Sequence, residues 1–143
     1  MTSYVLDAGV AAKWFLPAAS ETLSDEADRL LRGYTKAEVG FLVPDLFFPE
    51  LANILWKAGR ARRCDAATAD AALSKTLNRG FHTVPSVTLV QDALQLARTF
   101  DRTAYDCIYI ALAIQTNTQL ITADEKLANA VAGRLPVTWL GLF

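Results

Sequence analysis

Short apolar stretches with strand character alternate with amphipathic helical stretches along the whole 143-residue chain. Strand character comes from short apolar runs bounded by Pro, Gly or polar residues, while apolar positions recurring every three to four residues predict the helices. Strands separated by helices favour a mainly parallel sheet covered on both faces, with right-handed crossovers. The sequence therefore predicts an α/β fold, a three-layer α/β/α sandwich. The predicted strands are Ser3–Leu6, Phe41–Val43, Phe81–Val84, Gln119–Thr122 and Val137–Leu140.

Seven helical stretches connect or follow these predicted strands. The first carries Val10 to Phe15 and stops at Pro17, and the third follows Pro44-Asp45, runs through Leu51 and Ala58 and ends at Gly59. No internal repeat or Pro/Gly/Ser linker interrupts the pattern, so residues 1–143 are expected to form a single domain. The remaining helices are predicted at Glu21–Tyr34, Asp65–Arg79, Leu89–Phe100, Tyr105–Gln115 and Glu125–Val131.

Four acidic residues occupy matching places at the boundaries of these elements: Asp7, Glu50, Asp106 and Asp124. In open α/β sheets, ligands bind beyond the carboxyl ends of the strands and beside helix N-termini, so these acids can converge. No nearby Lys or Arg is placed to neutralise them, and like charges about 4 Å apart repel by roughly 4 kcal/mol at an effective dielectric near 20. Carboxylate oxygens suit Mg²⁺ or Mn²⁺, so the pattern indicates a candidate metal site.

Helix capping is the alternative explanation for each acid taken alone. Asp7 could cap a helix that begins near Gly9, and an acid in a first helical turn is favoured by the helix dipole. Two capping boxes are also predicted, Thr103 with Asp106 and Thr122 with Glu125. Ser, Asn or Thr would cap equally well, whereas all four places hold carboxylates. Capping and metal binding can coexist.

Composition excludes several classes of protein. The formal net charge is −1, so the domain as a whole lacks the excess positive charge that is typical of nucleic-acid-binding domains. The longest apolar run, Cys107 to Ile114, is too short to span a bilayer, and no secretory signal is visible, so the default location is the cytoplasm. His82 is the only histidine, which excludes a His-rich zinc site, and Cys64 and Cys107 lack metal-ligand spacing.

Four motifs appear in a specific order along the chain. They are Val5-Leu6-Asp7, Pro49-Glu50-Leu51-Ala52-Asn53-Ile54-Leu55, Thr103-Ala104-Tyr105-Asp106 followed by Tyr109-Ile110-Ala111-Leu112-Ala113, and Thr122-Ala123-Asp124 with Leu127-Ala128. In their order and spacing the chain resembles PIN-domain ribonucleases, and in size and motifs it is similar to the VapC toxins of toxin–antitoxin pairs. Gly9 departs from the pattern, since such proteins often carry Ser there.

The resemblance implies a metal-dependent endoribonuclease that leaves 5′-phosphate and 3′-hydroxyl ends. It implies that Asp7, Asp106 and Asp124 hold Mg²⁺ or Mn²⁺, while Glu50 completes the cluster and steers the attacking water. It also implies an RNA substrate, a cognate antitoxin protein and a homodimer. Around this cluster, Thr103 and Thr122 could orient water or substrate or serve only as helix caps, and Asn53, one helical turn from Glu50, could form a hydrogen bond with the cluster or be a surface amide.

A basic turn supplies the candidate RNA contact. Arg60, Arg62 and Arg63 could grip RNA phosphates, because guanidinium groups match phosphate geometry, although a solvated turn is the alternative. Two other functions stay open: a housekeeping RNA-processing nuclease, and a catalytically silent PIN-like binding module. A phosphoacceptor receiver domain is disfavoured, because Asp7 is isolated after the first strand and Lys126 points to a different helical face from Asp124.

Overall fold

A computed structural model describes all 143 residues and shows one five-stranded sheet. Neighbouring strands are all parallel, in the order β3-β2-β1-β4-β5, which confirms the predicted parallel sheet. All the buried residues of the sheet lie in its three central strands, which are rich in aliphatic residues, as expected where helices cover a sheet. The strands are β1 (Thr2–Leu6), β2 (Val39–Pro44), β3 (His82–Val84), β4 (Gln119–Thr122) and β5 (Val137–Trp139).

Seven helices flank the sheet and complete the predicted three-layer sandwich. The sixth is the most deeply buried, because Cys107 to Ala113 are all inaccessible along it and it packs on β1, β2 and β4. None of the helices is long and apolar enough to cross a bilayer. They are α1 (Ala8–Ala12), α2 (Ser24–Thr35), α3 (Phe47–Arg60), α4 (Ala66–Leu77), α5 (Val90–Phe100), α6 (Ala104–Thr116) and α7 (Glu125–Val131).

Several helix boundaries differ from the sequence expectation, and three of the differences have a visible local cause. Helix α1 ends at Ala12 rather than near Pro17, and the Trp14 indole beyond it donates a hydrogen bond to Ala27 O at 2.9 Å. Helix α2 begins at Ser24 because Leu23 has a φ of 59°, outside the helical region. Helix α3 continues past Gly59, and the chain turns at Arg62, which has a φ of 59°.

The strand order creates a switch point between β1 and β4. From β1 the chain moves to β2 and then β3 on one side, and it later returns to place β4 on the other side of β1. Crossovers that leave in opposite directions open a crevice at the carboxyl ends of these two strands. Asp7 immediately follows β1, and Asp124 lies two residues beyond the end of β4.

Candidate active site

Asp7 is held at the switch point by hydrogen bonds to β4 on one side and to α1 on the other. Its backbone N–H continues the sheet by donating to Ile121 O at 3.2 Å. One carboxyl oxygen, Oδ1, caps α1 by accepting from Gly9 N at 3.4 Å, and Oδ2 accepts from the Thr122 hydroxyl at 2.8 Å. The predicted cap is confirmed, and Thr122 adds a second anchor that holds this carboxyl group beside β4.

Thr122 also connects the Asp7 carboxyl group to Asp124. Its hydroxyl oxygen accepts from Asp124 N at 3.1 Å, and Asp124 then caps α7 by accepting from Leu127 N at 3.0 Å. The predicted Thr122–Glu125 capping box is therefore wrong, because Thr122 lies inside β4 and Asp124 occupies the cap position. Thr122 is fully buried and Asp124 is exposed, so the Thr122 hydroxyl contacts both Asp7 and Asp124 from the buried side of the site.

Asp106 lies in the first turn of α6, whose cap is Thr103. The Thr103 hydroxyl accepts from Asp106 N at 3.1 Å, as predicted. Burial raises the pKa of Asp106; the Asp124 charge adds to that rise, while the Thr103 hydroxyl and the Arg102 charge oppose it. The expectation that no cation lies near the acids is wrong, because Arg102 stands beside Asp106.

Glu50 lies in the first turn of α3 and is half-buried. Burial, followed by the charges of Asp7 and Asp106, raises the pKa of Glu50 to about 7, and the nearby Tyr109 hydroxyl opposes that rise. The Glu50 Oε1 atom and the Tyr109 hydroxyl are both buried without a hydrogen-bond partner. The carboxyl group is therefore poised to change its protonation state near neutral pH.

The four acids interact as one electrostatic cluster. Burial raises the pKa of Asp7, and the charges of Asp106 and Asp124 add to that rise, although the Thr122 and Gly9 hydrogen bonds oppose it. Asp7 is thus coupled to the other three acids. As they stand, however, no three His, Cys, Asp or Glu side chains form a group that could hold a metal ion. The arrangement provides shared negative charge at the crevice rather than a preformed cage.

The structure places the other candidate residues outside this cluster. Asn53 is exposed and makes no side-chain hydrogen bond, so the expected bond to the cluster is absent. Arg63 forms an ion pair with Glu21 at 2.8 Å, and Arg60 lies over the Trp56 ring at 5.1 Å. Arg62 is exposed at the turn. RNA binding by these arginines stays a prediction.

Two residues at the cluster, Arg102 and Tyr109, had no site role predicted from the sequence. Tyr109 follows Asp106 by three positions on α6, and that spacing puts both side chains on one side of the helix. Arg102 directly precedes the Thr103 cap, so its position was visible, but nothing in the sequence showed that the loop would turn it toward Asp106. Helical spacing could therefore have indicated the place of Tyr109, whereas no sequence signal indicated that of Arg102.

The chain belongs to the PIN-domain family, because the model of the PIN domain matches residues 4–132. Members of that family are typically nucleases. No curated protein sequence matches the chain significantly.

Several solved structures share the fold. PAE2754 from Pyrobaculum aerophilum is similar with a TM-score of 0.70 at 23% identity, over 99% of this chain and 85% of that chain. VapBC2 from Rickettsia felis, bound to a promoter DNA fragment, has a TM-score of 0.64 at 12% identity, over 96% of this chain and 98% of that chain. VapC20 from Mycobacterium tuberculosis, a toxin that cleaves the sarcin–ricin loop, has a TM-score of 0.63 at 18% identity, over 87% of this chain and 94% of that chain. At these identities the likeness establishes the fold.

Proposed function

We propose that this chain is a single PIN-like nuclease domain, a metal-dependent endoribonuclease that acts in the cytoplasm as the toxin of a toxin–antitoxin pair. The observation that carries the proposal is the cluster of four coupled acids at the β1/β4 switch point, where Asp7, Glu50 and Asp106 all have raised pKa values. Such clustered perturbations are typical of functional sites. Membership of the PIN-domain family supports nuclease chemistry at this place.

The residues present fit Mg²⁺ or Mn²⁺. All the donors are hard carboxylate oxygens, and their repulsion would be relieved by a cation. Mg²⁺ usually keeps several waters and takes only one or two carboxylates directly, so a preformed group of three ligands is not required. Asp7, Asp106 and Asp124 would hold the cation directly or through water. When bound, it would polarise a phosphoryl oxygen and lower the pKa of bound water.

Glu50 supplies the proton transfer in this proposal. With a pKa of about 7, its carboxylate can accept a proton from the attacking water at neutral pH. Water attack on phosphorus with the ribose 3′ oxygen as leaving group gives 5′-phosphate and 3′-hydroxyl ends. Thr122 keeps the Asp7 carboxyl group in place, and Arg102 offsets negative charge where an RNA phosphate would enter.

The proposed partners are an RNA, a cognate antitoxin protein and a second copy of the chain. The similar structures support the antitoxin, since one is a toxin–antitoxin complex from Klebsiella pneumoniae, with a TM-score of 0.60 at 16% identity, over 94% of this chain and 95% of that chain. Light scattering at micromolar concentration should give the mass of a homodimer. A monomer alone would contradict that part of the proposal.

The decisive experiment compares the chain with its Asp106→Asn variant on an RNA substrate in Mg²⁺ or Mn²⁺. Loss of a preorganised charged group should reduce cleavage by roughly 10²-fold or more, with the fold retained by circular dichroism. Expression without a partner should arrest growth, and Asp7→Asn should relieve the arrest. Equal cleavage by Asp106→Asn and wild type would refute the mechanism. Cleavage of a defined precursor RNA without growth arrest would favour the housekeeping role.

The alternative candidate is a catalytically silent binding module, in which the same carboxylates would bind no cation. A Mn²⁺ titration separates the two functions, because a silent module has no reason to gain stability from the cation. A rise in melting temperature with Mn²⁺ that Asp106→Asn abolishes supports the nuclease.

A further inference from the structure

Two buried polar atoms beside the acids have no hydrogen-bond partner, the Tyr109 hydroxyl and Glu50 Oε1. Tyr109 is 3% exposed, so water does not replace the missing partner. The hydroxyl nevertheless interacts with the Glu50 and Asp7 carboxyl groups. A donor and an acceptor that face each other without bonding are unusual in a protein interior, where more than nine in ten buried polar groups are paired.

We propose that Tyr109 is a positioning residue, whose hydroxyl donates a hydrogen bond to Glu50 Oε1 in the metal-bound protein and fixes the carboxyl group for its role at the cleft. This inference rests on the proposed nuclease function. Such a bond would couple cation binding to the orientation of Glu50.

The surroundings of Tyr109 suit this role. Its ring lies on the most buried helix, so the hydroxyl is held on a rigid arm. The Ala8 N–H, in the first turn of α1, faces the hydroxyl oxygen. Because that N–H can only donate, the hydroxyl proton is left to point toward a carboxylate. Glu50 Oε1 is the buried acceptor available to receive it.

The test is Tyr109→Phe, which removes the hydroxyl and keeps the ring. Without metal, the melting temperature should change little, because the only interaction lost with the hydroxyl in that state is the one with the Ala8 N–H. Mn²⁺ affinity by titration calorimetry should fall roughly tenfold, the scale seen when groups that orient metal ligands are lost. The kcat for RNA cleavage should fall with KM unchanged, since the ring and the RNA-binding surface remain.

Tyr34→Phe is the matched control. The Tyr34 hydroxyl donates to Arg79 O at 3.1 Å, away from the acids. Its removal should lower the metal-free melting temperature and leave the Mn²⁺ affinity unchanged. In a double-mutant cycle, Tyr109→Phe should have no further effect on Mn²⁺ affinity in a Glu50→Ala background, because Tyr109 acts through Glu50.

Three outcomes would overturn the role. Tyr109→Phe could lose stability as Tyr34→Phe does while binding Mn²⁺ like wild type, which would make the hydroxyl structural. Additive effects in the cycle would show that Tyr109 does not act through Glu50. Failure of the wild-type chain itself to bind Mn²⁺ or cut RNA would overturn the proposed function and this role with it, and the wild-type measurements distinguish that failure from the first two.

Discussion

Replacing Glu50 by Gln should stabilise the metal-free protein above neutral pH. The substitution keeps the size of the side chain but removes a charge that the fold disfavours. Burial and the charges of Asp7 and Asp106 raise the pKa of Glu50 to about 7 from an ordinary value of 4.5. Ionisation is therefore easier in the unfolded chain than in the folded one, and the folded state loses stability once Glu50 ionises.

The magnitude follows from that difference in pKa. At 1.36 kcal/mol per unit, a rise from 4.5 to about 7 corresponds to roughly 3 kcal/mol for a fully buried group. Glu50 is only half-buried, so solvent screening reduces the penalty to about 1–2 kcal/mol. For a chain of this length that is a melting-temperature difference of roughly 3–8 °C. Removing the charge also relieves Asp7 and Asp106, which acts in the same direction.

The difference in free energy of unfolding between wild type and Glu50→Gln should depend on pH. Below pH 4.5 Glu50 is protonated in both states, so wild type and Glu50→Gln should have similar free energies of unfolding. Between pH 4.5 and about 7 the unfolded chain ionises first, and wild type should lose stability relative to the variant. Above pH 7 the difference should level off. Urea denaturation in EDTA at pH 4.5, 6 and 8 measures each value.

A difference between the two proteins that does not change from pH 4.5 to pH 8 would refute this reasoning. It would mean that Glu50 titrates normally and that the four acids do not interact in the folded chain. Adding Mn²⁺ at pH 8 provides an internal control, because a bound cation should stabilise wild type more than Glu50→Gln.

Substitutions at four further positions test the site and the fold around it, each by urea denaturation. Thr122→Val should lower the free energy of unfolding by about 1–3 kcal/mol and raise the pKa of Asp7, measured by carboxyl NMR titration, whereas Thr122→Ser should preserve both. Gly9→Ala should add about 0.5–1 kcal/mol, because Gly9 is helical and a Cβ there meets nothing within 4 Å, while Gly133→Ala should destabilise, since its φ is 75°. Leu112→Ala should cost about 2–5 kcal/mol, because Leu112 is fully buried in α6. A loss below about 1 kcal/mol would contradict that account of the core.

The sheet could be predicted because its signals are local. β4 and α7 have the expected bounds, since Gln119–Thr122 is a short apolar run and Glu125–Val131 has helical spacing. The end of α1 could not be predicted, because beyond Ala12 the backbone continues in tighter turns through Phe15, where the Trp14 indole makes a tertiary hydrogen bond to Ala27 O, 13 positions away. Helix propensities are local and do not include long-range contacts such as this hydrogen bond.

The positions of the four acids could be predicted, but their hydrogen-bond partners could not. An acid after a parallel strand reaches the carboxyl edge whatever the packing, so the place of Asp7 follows from β1 alone. Its bond to Thr122 joins residues 115 positions apart and depends on β4 lying next to β1. The approach of Arg102 to Asp106 likewise depends on how the loop between α5 and α6 folds, since Asp101 adopts a φ of 54° there.

Capping and function are not competing explanations for these acids. The hydrogen bonds that cap α1 and α7 fix the Asp7 and Asp124 carboxyl groups at the crevice, so helix stability and site geometry depend on the same contacts. Their crowding with Glu50 opposes folding by the roughly 1–2 kcal/mol derived above from its pKa. A divalent cation at 100 times its Kd would add about 2.7 kcal/mol to the folded state, which exceeds that cost. Metal loading should therefore make the cluster a net source of stability.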